Sequence, residues 1–545
     1  MQVRRETPLG FQPPAIGEEE IEAVAETLRS GWLTTGPRAD ELERRMAAYL
    51  EAEHVLALAS GTAAMHLSLV ALGVGPGDEV ITTPITWPAT ANVIVHTGAT
   101  PVFADVLVER LLPAGEILVQ PSEELLVGRV LRIRPAALLV ELFEPLAHPG
   151  RSVLPRQPGR AHTLSAVATQ RTRRETLLGF QPPAIGEEEI EAVVETLRTG
   201  WIATGPKAGE LEERFAEYVG ARHAVTLASG TAALHLALLA AGIGPGDEVI
   251  TTPITWPATA NVIVHAGATP VFVDVRAEDL NVDPDAVAEA IGPRTKAIIP
   301  VHLAGQPCDL DALLALGAPV IEDATHAVES VYRGRKIGSI EGSLCAAFSL
   351  NATKNVAGAE GGILTTDDDE LAAEIRELRL MRRKPGALYD IRVAGFKANL
   401  PDLLAALALV QLEKVEEHAA IRRRHVAAYD EAVAELEGIT PLARDPRDVH
   451  ALHIYVVRID PERAGADRNA YRDALAEERI ATSIHFLPLH RLTFYRGLLP
   501  EQPPLPVAER AGDEVLSLPL SPAHSDEDVA DAVDALRRVH AAFSS

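Results

Sequence analysis

The chain has 545 residues, of which 47% are apolar and 23% charged, and its formal net charge is −27. This length suffices for about three domains, and the composition is ordinary for a globular protein. The negative charge argues against nucleic acid or an anionic membrane as the main partner, because both would repel the protein, whereas local cations and helix N-termini can still bind a small anion.

The cysteine content and the N-terminus predict a cytoplasmic protein. Cys308 and Cys345 are too few for a disulfide framework and are expected to be buried, reduced thiols. The first residues, MQVRRETPLGFQPP, lack the apolar stretch of a signal peptide. No run of about 18 apolar residues predicts a membrane span.

The chain contains a long internal duplication. Residues 4–106 match residues 173–275 at a constant offset of 169, with about 80 of the 103 positions identical. A single long repeat of this kind differs from the short periods of repeat proteins. The predicted organisation is a truncated duplicate at 1–106 (the first copy), a linker at 107–172, a large domain at 173–410 and a smaller domain at 411–545.

The segment that follows the first copy differs in character from the rest of the chain. Residues 107–172 contain eight Arg but no Lys or Asp, and no acidic residue follows Pro145 in this segment. We interpret it as a linker that is partly disordered, since Pro, Gly, Arg and Ser dominate its second half. The apolar stretch Leu125–Phe143 is expected to form a strand or a helix.

Helix and strand patterns alternate after residue 173. Predicted helices are Gly186–Thr199, Thr231–Ala241 and Ala258–His265, and predicted strands are Ala224–Leu227, Glu248–Thr252, Val271–Val275, Ala297–Pro300 and Val320–Ile321. This alternation indicates an α/β fold with a mainly parallel sheet flanked by helices. Beyond about residue 410, HIYVVRID and the helix after it indicate a smaller α+β domain.

Two stretches combine a strand end with polar residues. In LASGTAALHLAL a helix begins just after Ser229-Gly230-Thr231, and the amides of a helix N-terminus form an anion site. The alternative is that Ser229 or Thr231 only caps the helix. In VIEDATHAVES, Asp323 and His326 follow a buried strand, where α/β proteins bind ligands. The alternative there is a capping aspartate and a core histidine.

A third stretch, AAFSLNATKNVAGAEGG, places Lys354 between a short strand and a glycine-rich turn. A lysine at such a position is a Schiff-base nucleophile if burial or a neighbouring positive charge lowers its pKa. A solvated surface residue is the alternative for any single lysine. Each of the three stretches is a weak signal alone, whereas their order and spacing together are specific.

Together these stretches resemble the pyridoxal-phosphate (PLP) sugar aminotransferases of the DegT/DnrJ type, a branch of the fold-type-I PLP enzymes. The resemblance runs from about Leu178 to the C-terminus, through SGTAALHLAL, GPGDEVITTPITWPATAN, EDATHA, FSLNATKN, AEGG, GFKANLPDLLAALALVQLEK and SIHFLPLH. Within this family the chain most resembles UDP-4-amino-4-deoxy-L-arabinose–oxoglutarate aminotransferases, in SGWIATGPKAGELE, TPITWPATANVIV and DALAEERIATSIHF. The resemblance implies a fold-type-I large domain, a smaller C-terminal domain, PLP as cofactor and a homodimer with shared active sites.

The resemblance also implies roles for matching residues. Lys354 would form the Schiff base with PLP and move the proton, Asp323 would pair with the pyridinium nitrogen, and His326 would lie near the ring. By the same resemblance, the cofactor phosphate would contact Gly230, Thr231, Ala232 and Ser349, and the ring face would stack on Trp256. Asn399 would reach the cofactor phosphate of a neighbouring subunit, and His485 would line the entrance for the sugar nucleotide.

Two positions depart from the family pattern. Many relatives have His where this chain has Asn351, and they often have an aromatic residue at Ala398. Both positions are expected beside the substrate, so they put the identity of the substrate in doubt more than the reaction type.

The first copy is expected to lack a complete site. It carries Ser60-Gly61-Thr62 and Trp87, but it ends before any counterpart of Asp323 or Lys354. One PLP site per chain is therefore predicted. Three interpretations of the first copy are a partly disordered remnant, a segment that packs on the complete domain (residues 173–545) or swaps between subunits, and an upstream reading-frame artefact.

The predicted function is a ping-pong transfer of an amino group from L-glutamate to a nucleotide-linked 4-keto sugar. A 4-ketopentose is favoured over a 4-keto-6-deoxyhexose, for a cell-surface glycan or a glycosylated natural product. A sugar C3 dehydratase is one alternative, but such enzymes have His in place of Lys354. A non-catalytic scaffold is another, and the intact set of Asp323, Lys354 and Asn399 argues against it.

Overall fold

A computed structural model describes residues 14–104, 173–381 and 390–544. These residues form one compact unit, except for Thr83–Ile85 and residues 103–104, which belong to a second unit whose other members are not among the described residues. The predicted linker at 107–172 and the predicted element Leu125–Phe143 also lie outside the described residues.

Helices and one pair of strands make up the described part of the first copy. In chain order they are α1 (Glu18–Ser30), α2 (Pro37–Leu50), α3 (Gly61–Ala71), β1 (Glu79–Thr82), α4 (Ala89–His96) and β2 (Thr100–Phe103). β1 and β2 pair with each other.

The complete domain begins with alternating helices and strands, as its sequence predicts. Its elements up to residue 378 are α5 (Glu187–Thr199), α6 (Pro206–Val219), β3 (His223–Leu227), α7 (Gly230–Ala240), β4 (Glu248–Thr251), α8 (Ala258–His265), β5 (Thr269–Phe272), α9 (Pro284–Ala290), β6 (Thr295–Ile299), α10 (Leu310–Ala315), β7 (Ile321–Asp323), β8 (Val331–Tyr332), β9 (Arg335–Lys336), β10 (Cys345–Ser349), β11 (Gly362–Thr366) and α11 (Asp369–Leu378).

The strands of this region form a mainly parallel arrangement. β3, β11, β10 and β7 hydrogen-bond in that order, and β5, β4 and β6 form a parallel set. A parallel bridge between Ile298 and Val320 links β6 to the start of β7. Only β11 runs antiparallel to its neighbours within these two sets. The α/β prediction is confirmed, with strand ends shifted by up to three residues.

The C-terminal region builds a second core around an antiparallel sheet of β12, β13 and β14. Its elements are α12 (Asp402–Glu413), α13 (Val415–Val433), β12 (Ile439–Pro441), β13 (Tyr455–Ile459), α14 (Pro461–Ala464), α15 (Arg468–Glu477), α16 (Thr493–Leu498), α17 (Pro506–Glu514), β14 (Val515–Leu518) and α18 (Asp526–Ser544). Leu178, near the start of the complete domain, belongs to this core and pairs with Ile480. None of the helices described here could span a bilayer.

The first copy lies against the complete domain through α1 and α4. α1 packs on α5 in a shared apolar cluster. In α4, the side-chain amide of Asn92 is buried and donates to the carbonyl oxygen of Gly395 at 3.1 Å. This packing matches the second of the three interpretations of the first copy.

Candidate active site

Lys354 lies in the loop between β10 and β11, at the wall of a cavity of about 440 Å³. Loss of hydration lowers the pKa of its amine from 10.5 to about 8, and the nearby Asp323 carboxylate opposes part of this shift. With a pKa of about 8, the amine is half neutral near pH 8, and its neutral fraction near pH 7 is far larger than that of an ordinary lysine. It is a better nucleophile and proton carrier than a solvated surface lysine would be.

Asp323 ends β7 and lines the same cavity. Its Oδ2 accepts a hydrogen bond from Thr259 Oγ1 at 2.8 Å, and its Oδ1 accepts from the hydroxyl of Thr325 at 2.7 Å and from the Thr325 amide at 3.2 Å. Thr255 extends this chain through its hydroxyl, 2.8 Å from that of Thr259. These contacts fix the orientation of a carboxylate that is almost fully buried.

His326 is also buried in the cavity wall, and its Nδ1 has no hydrogen-bond partner among the described residues. Burial, with smaller contributions from Lys354 and His485, lowers the pKa of His326 well below its usual value, so the ring is neutral. The ring centroids of His453 and His326 are 4.3 Å apart. Nδ1 of His453 is 3.0 Å from Asn355 Oδ1.

The N-terminus of α7 forms another wall of the cavity. Ser229 caps this helix, because its hydroxyl accepts from the Ala232 amide at 3.0 Å, while Gly230 and Thr231 line the cavity. The turn can therefore both cap the helix and offer an anion site to the cavity. A Cβ at Gly230 would lie 3.1 Å from side-chain carbons of Ser349 and Thr325. Glycine therefore keeps this wall from being overpacked.

Aromatic and polar side chains complete the cavity. Trp256 lines it while remaining 65% exposed, and its ring centroid is 6.4 Å from that of Phe486. His485 Nδ1 lies 2.8 Å from Ser517 Oγ, and burial lowers the pKa of His485 to about 4. Asn351, one of the two positions that depart from the family pattern, also lines the cavity, and its side-chain amide donates to Glu360 at 3.1 Å.

Most predicted site residues converge on this cavity, but two do not line it. The converging residues are Gly230, Thr231, Trp256, Asp323, His326, Ser349, Lys354 and His485. The Ala232 amide is engaged by the Ser229 cap. Asn399 is buried elsewhere: its side-chain amide donates to Thr204 Oγ1 at 2.5 Å, and its Oδ1 accepts from Lys397.

Several residues that line the cavity were not predicted from the sequence. Thr325 had a local signal, because its hydroxyl and amide both bond a carboxylate two residues earlier, as in an Asx-type turn. Thr259 and His453 had none, since they lie 64 and 127 residues from the groups that they contact. Only the fold brings them to the site.

A model of the DegT/DnrJ/EryC1/StrS aminotransferase family matches residues 14–117 and 183–537. The spore coat polysaccharide biosynthesis protein SpsC of Bacillus subtilis (strain 168) is 45% identical over 384 residues, which cover 67% of this chain and 98% of SpsC. Both the first copy and the complete domain thus carry the family pattern.

Solved structures of sugar aminotransferases share the fold of the complete domain. The PLP form of the putative sugar aminotransferase Spr1654 from Streptococcus pneumoniae is 36% identical with a TM-score of 0.64, covering 68% of this chain and 100% of Spr1654. DesI in the presence of its TDP-sugar product is 35% identical with a TM-score of 0.62, covering 67% of this chain and 93% of DesI.

Proposed function

The chain belongs to the DegT/DnrJ/EryC1/StrS aminotransferase family and is a PLP-dependent sugar aminotransferase, and from this we propose that the cavity around Lys354 is its active site. We propose L-glutamate as the amino donor and a nucleotide-linked 4-keto sugar as the acceptor. The observation that carries the proposal is a lysine of lowered pKa that shares one cavity with a fixed carboxylate and a helix N-terminus.

The residues of the cavity fit PLP. The amine of Lys354 suits an aldehyde, the Asp323 carboxylate suits a protonated ring nitrogen, and the exposed face of Trp256 suits a flat ring. The amides at the start of α7 and the hydroxyl of Ser349 suit a phosphate. A Cβ at Gly230 would meet the Ser349 side chain at 3.1 Å, so glycine lets the start of α7 lie close to Ser349, and both can contact one phosphate.

When bound, PLP supplies an electron sink that stabilises negative charge at the substrate carbon. The protein residues provide the surroundings for that chemistry. Lys354 has a pKa suited to accepting and returning a proton at its Nζ atom near neutral pH. Thr259 and Thr325 hold the Asp323 carboxylate in one orientation. The neutral, buried ring of His326 adds no positive charge beside the lysine.

The sugar specificity is a finer part of the proposal. DesI is described with a TDP-sugar product, which supports a nucleotide-linked substrate for this chain as well. The hydrogen-bonding groups of Gln181, Asn351, Glu360 and His485 line the cavity and suit sugar hydroxyls. The resemblance to arabinose-type enzymes favours a 4-ketopentose, with a 4-keto-6-deoxyhexose as the second candidate. We propose a cytoplasmic location, consistent with the free, buried Cys308 and Cys345.

The test compares wild-type protein with Lys354→Ala and with the control Lys296→Ala, which replaces an exposed lysine. After incubation with PLP, borohydride reduction should attach the cofactor permanently to Lys354 in the wild type and in the control, as located by peptide mass spectrometry. Lys354→Ala should carry no such label and should not turn over UDP- or dTDP-4-keto sugars. A wild-type protein that takes up no PLP, or a label on another lysine, contradicts the proposed site.

A further inference from the structure

The ring of His326 depends on its aromatic neighbours for its position in the cavity wall. Its Nδ1 is buried and has no hydrogen-bond partner among the described residues. The ring centroid lies 4.3 Å from that of His453, with 40° between the two planes, and 6.2 Å from that of Phe486. His453 is therefore the nearer of these two rings, and whatever fixes His453 also restricts His326.

The side chain of His453 is held by Asn355. Nδ1 of His453 lies 3.0 Å from Asn355 Oδ1. The side-chain amide of Asn355 donates to Glu329 Oε2 at 2.7 Å and to the carbonyl oxygen of Ala451 at 3.1 Å. With its amide hydrogens used in this way, Asn355 presents Oδ1 as an acceptor, so Nδ1 of His453 carries the proton. Gln181 Nε2 is 3.5 Å from this Nδ1 and donates instead to the carbonyl oxygen of His453 at 2.7 Å. Burial lowers the pKa of His453 well below its usual value, so the ring is neutral and its Nε2 is unprotonated.

A buried ion pair continues this network behind Asn355. Glu329, in the loop after β7, contacts Arg422 of α13, and each side chain is only 2% exposed. Asn355 is the residue that follows Lys354, so its side-chain amide links the ion pair both to His453 and to the loop that carries the lysine. Because the partners come from separate elements of the fold, the network limits its side chains to one arrangement.

We propose that His453 is a positioning residue for His326. Asn355 keeps His453 in one tautomer and one orientation, and the buried ion pair keeps Asn355 in place. This inference rests on the proposed function, in which His326 lies beside the PLP ring. Because the His326 ring is ordered before the cofactor binds, its rotamer freedom is not lost on binding. Without His453 that ordering would accompany binding, and affinity for PLP would fall roughly 2- to 12-fold, the cost of immobilising one side chain.

The test is a double-mutant cycle on PLP affinity, measured by titrating apo-protein and following absorbance and tryptophan fluorescence. His453→Leu should weaken PLP binding by the factor given above when His326 is present. In the His326→Ala background the same substitution should change the affinity by less than about twofold, because no ring is left to position. Equal losses in both backgrounds, or no loss in either, would overturn the positioning role. A wild type that takes up PLP in the same titration separates that outcome from a failure of the proposed function.

The control and the spectrum distinguish positioning from a general loss of stability. His540→Leu also removes a buried histidine, one whose Nδ1 lies 2.8 Å from the hydroxyl of Tyr471 and which does not line the cavity. It should leave PLP affinity and the spectrum of the bound cofactor at wild-type values. His453→Leu should shift the absorption maximum of the bound cofactor in the same direction as His326→Ala. A wild-type spectrum in His453→Leu would contradict the proposal.

A measurement on the wild type keeps the proposal falsifiable if His453→Leu does not fold. Crystal structures of the apo-protein and of the PLP-loaded protein should both show the His326 ring in one orientation, in contact with the ring of His453. A His326 ring that turns only when PLP binds, or a His453 ring that is not bonded to Asn355, would overturn the proposal.

Discussion

Thr259→Val tests whether the Asp323 carboxylate must be held in place for the protein to bind its cofactor. Thr259 is almost fully buried in α8, and its hydroxyl donates to Asp323 Oδ2 at 2.8 Å. Valine has nearly the same shape but cannot donate this bond. The substitution therefore leaves Oδ2 without this partner in a buried site, while the two bonds from Thr325 to Oδ1 remain.

The expected size of the effect follows from the kind of bond that is lost. A hydrogen bond to a charged group contributes about 1.5–3 kcal/mol, because the unpaired charge stays buried when the donor is removed. At 1.4 kcal/mol per factor of ten, this corresponds to roughly a 10- to 150-fold change in an equilibrium constant. We expect PLP to dissociate from the variant more readily by up to this factor.

The assay is a titration of apo-protein with PLP, followed by visible absorbance and tryptophan fluorescence. Thr259→Ser keeps the hydroxyl and should restore affinity to within a few-fold of wild type. Thr255→Val removes only the hydroxyl that contacts Thr259 and should have a smaller effect than Thr259→Val. PLP affinity and turnover at the wild-type level in Thr259→Val would refute the reasoning.

Three further predictions concern the lysine, the phosphate turn and a buried ion pair. Because the pKa of Lys354 is about 8 and only the neutral amine attacks, Lys354 of apo-protein should react with an added aldehyde at a rate that rises with pH and levels off above about pH 8. A rate that continues to rise toward pH 10.5 would contradict this pKa. Gly230→Ala brings a Cβ to 3.1 Å from a side-chain carbon of Ser349, so thermal unfolding should show a loss of about 1–3 kcal/mol and PLP binding should weaken. Arg422→Met leaves the buried Glu329 without its cation, so the free energy of unfolding measured with denaturant should fall by about 3–5 kcal/mol. Adding Glu329→Leu to this variant should recover most of the loss. An unchanged unfolding midpoint in Arg422→Met would argue against a contribution from this pair.

The duplication separates what local sequence determines from what the fold decides. α3 and α7 cover matching positions in the two copies, and each is capped by a serine, Ser60 or Ser229, whose side chain accepts an amide bond from three residues on. The helix bounds therefore follow from the local sequence, since they persist in two very different surroundings. The alternation of helices and strands was likewise predictable from the local pattern. Lys354 and Asp323 were instead singled out by the order and spacing of three short motifs and by the family resemblance that they carry.

The strands and the geometry of the site depended on tertiary structure. Residues 223–227 form β3 by pairing with β11, whereas the matching residues 54–58 form no strand, because the first copy ends before any counterpart of β11. Leu227 is fully buried, while its counterpart Leu58 is 44% exposed. The bond from Thr259 to Asp323 likewise requires β7 and α8 to be neighbours. A strand and a binding site both need partners distant in sequence, so a local pattern can predict the helix but not the pairing that completes the fold.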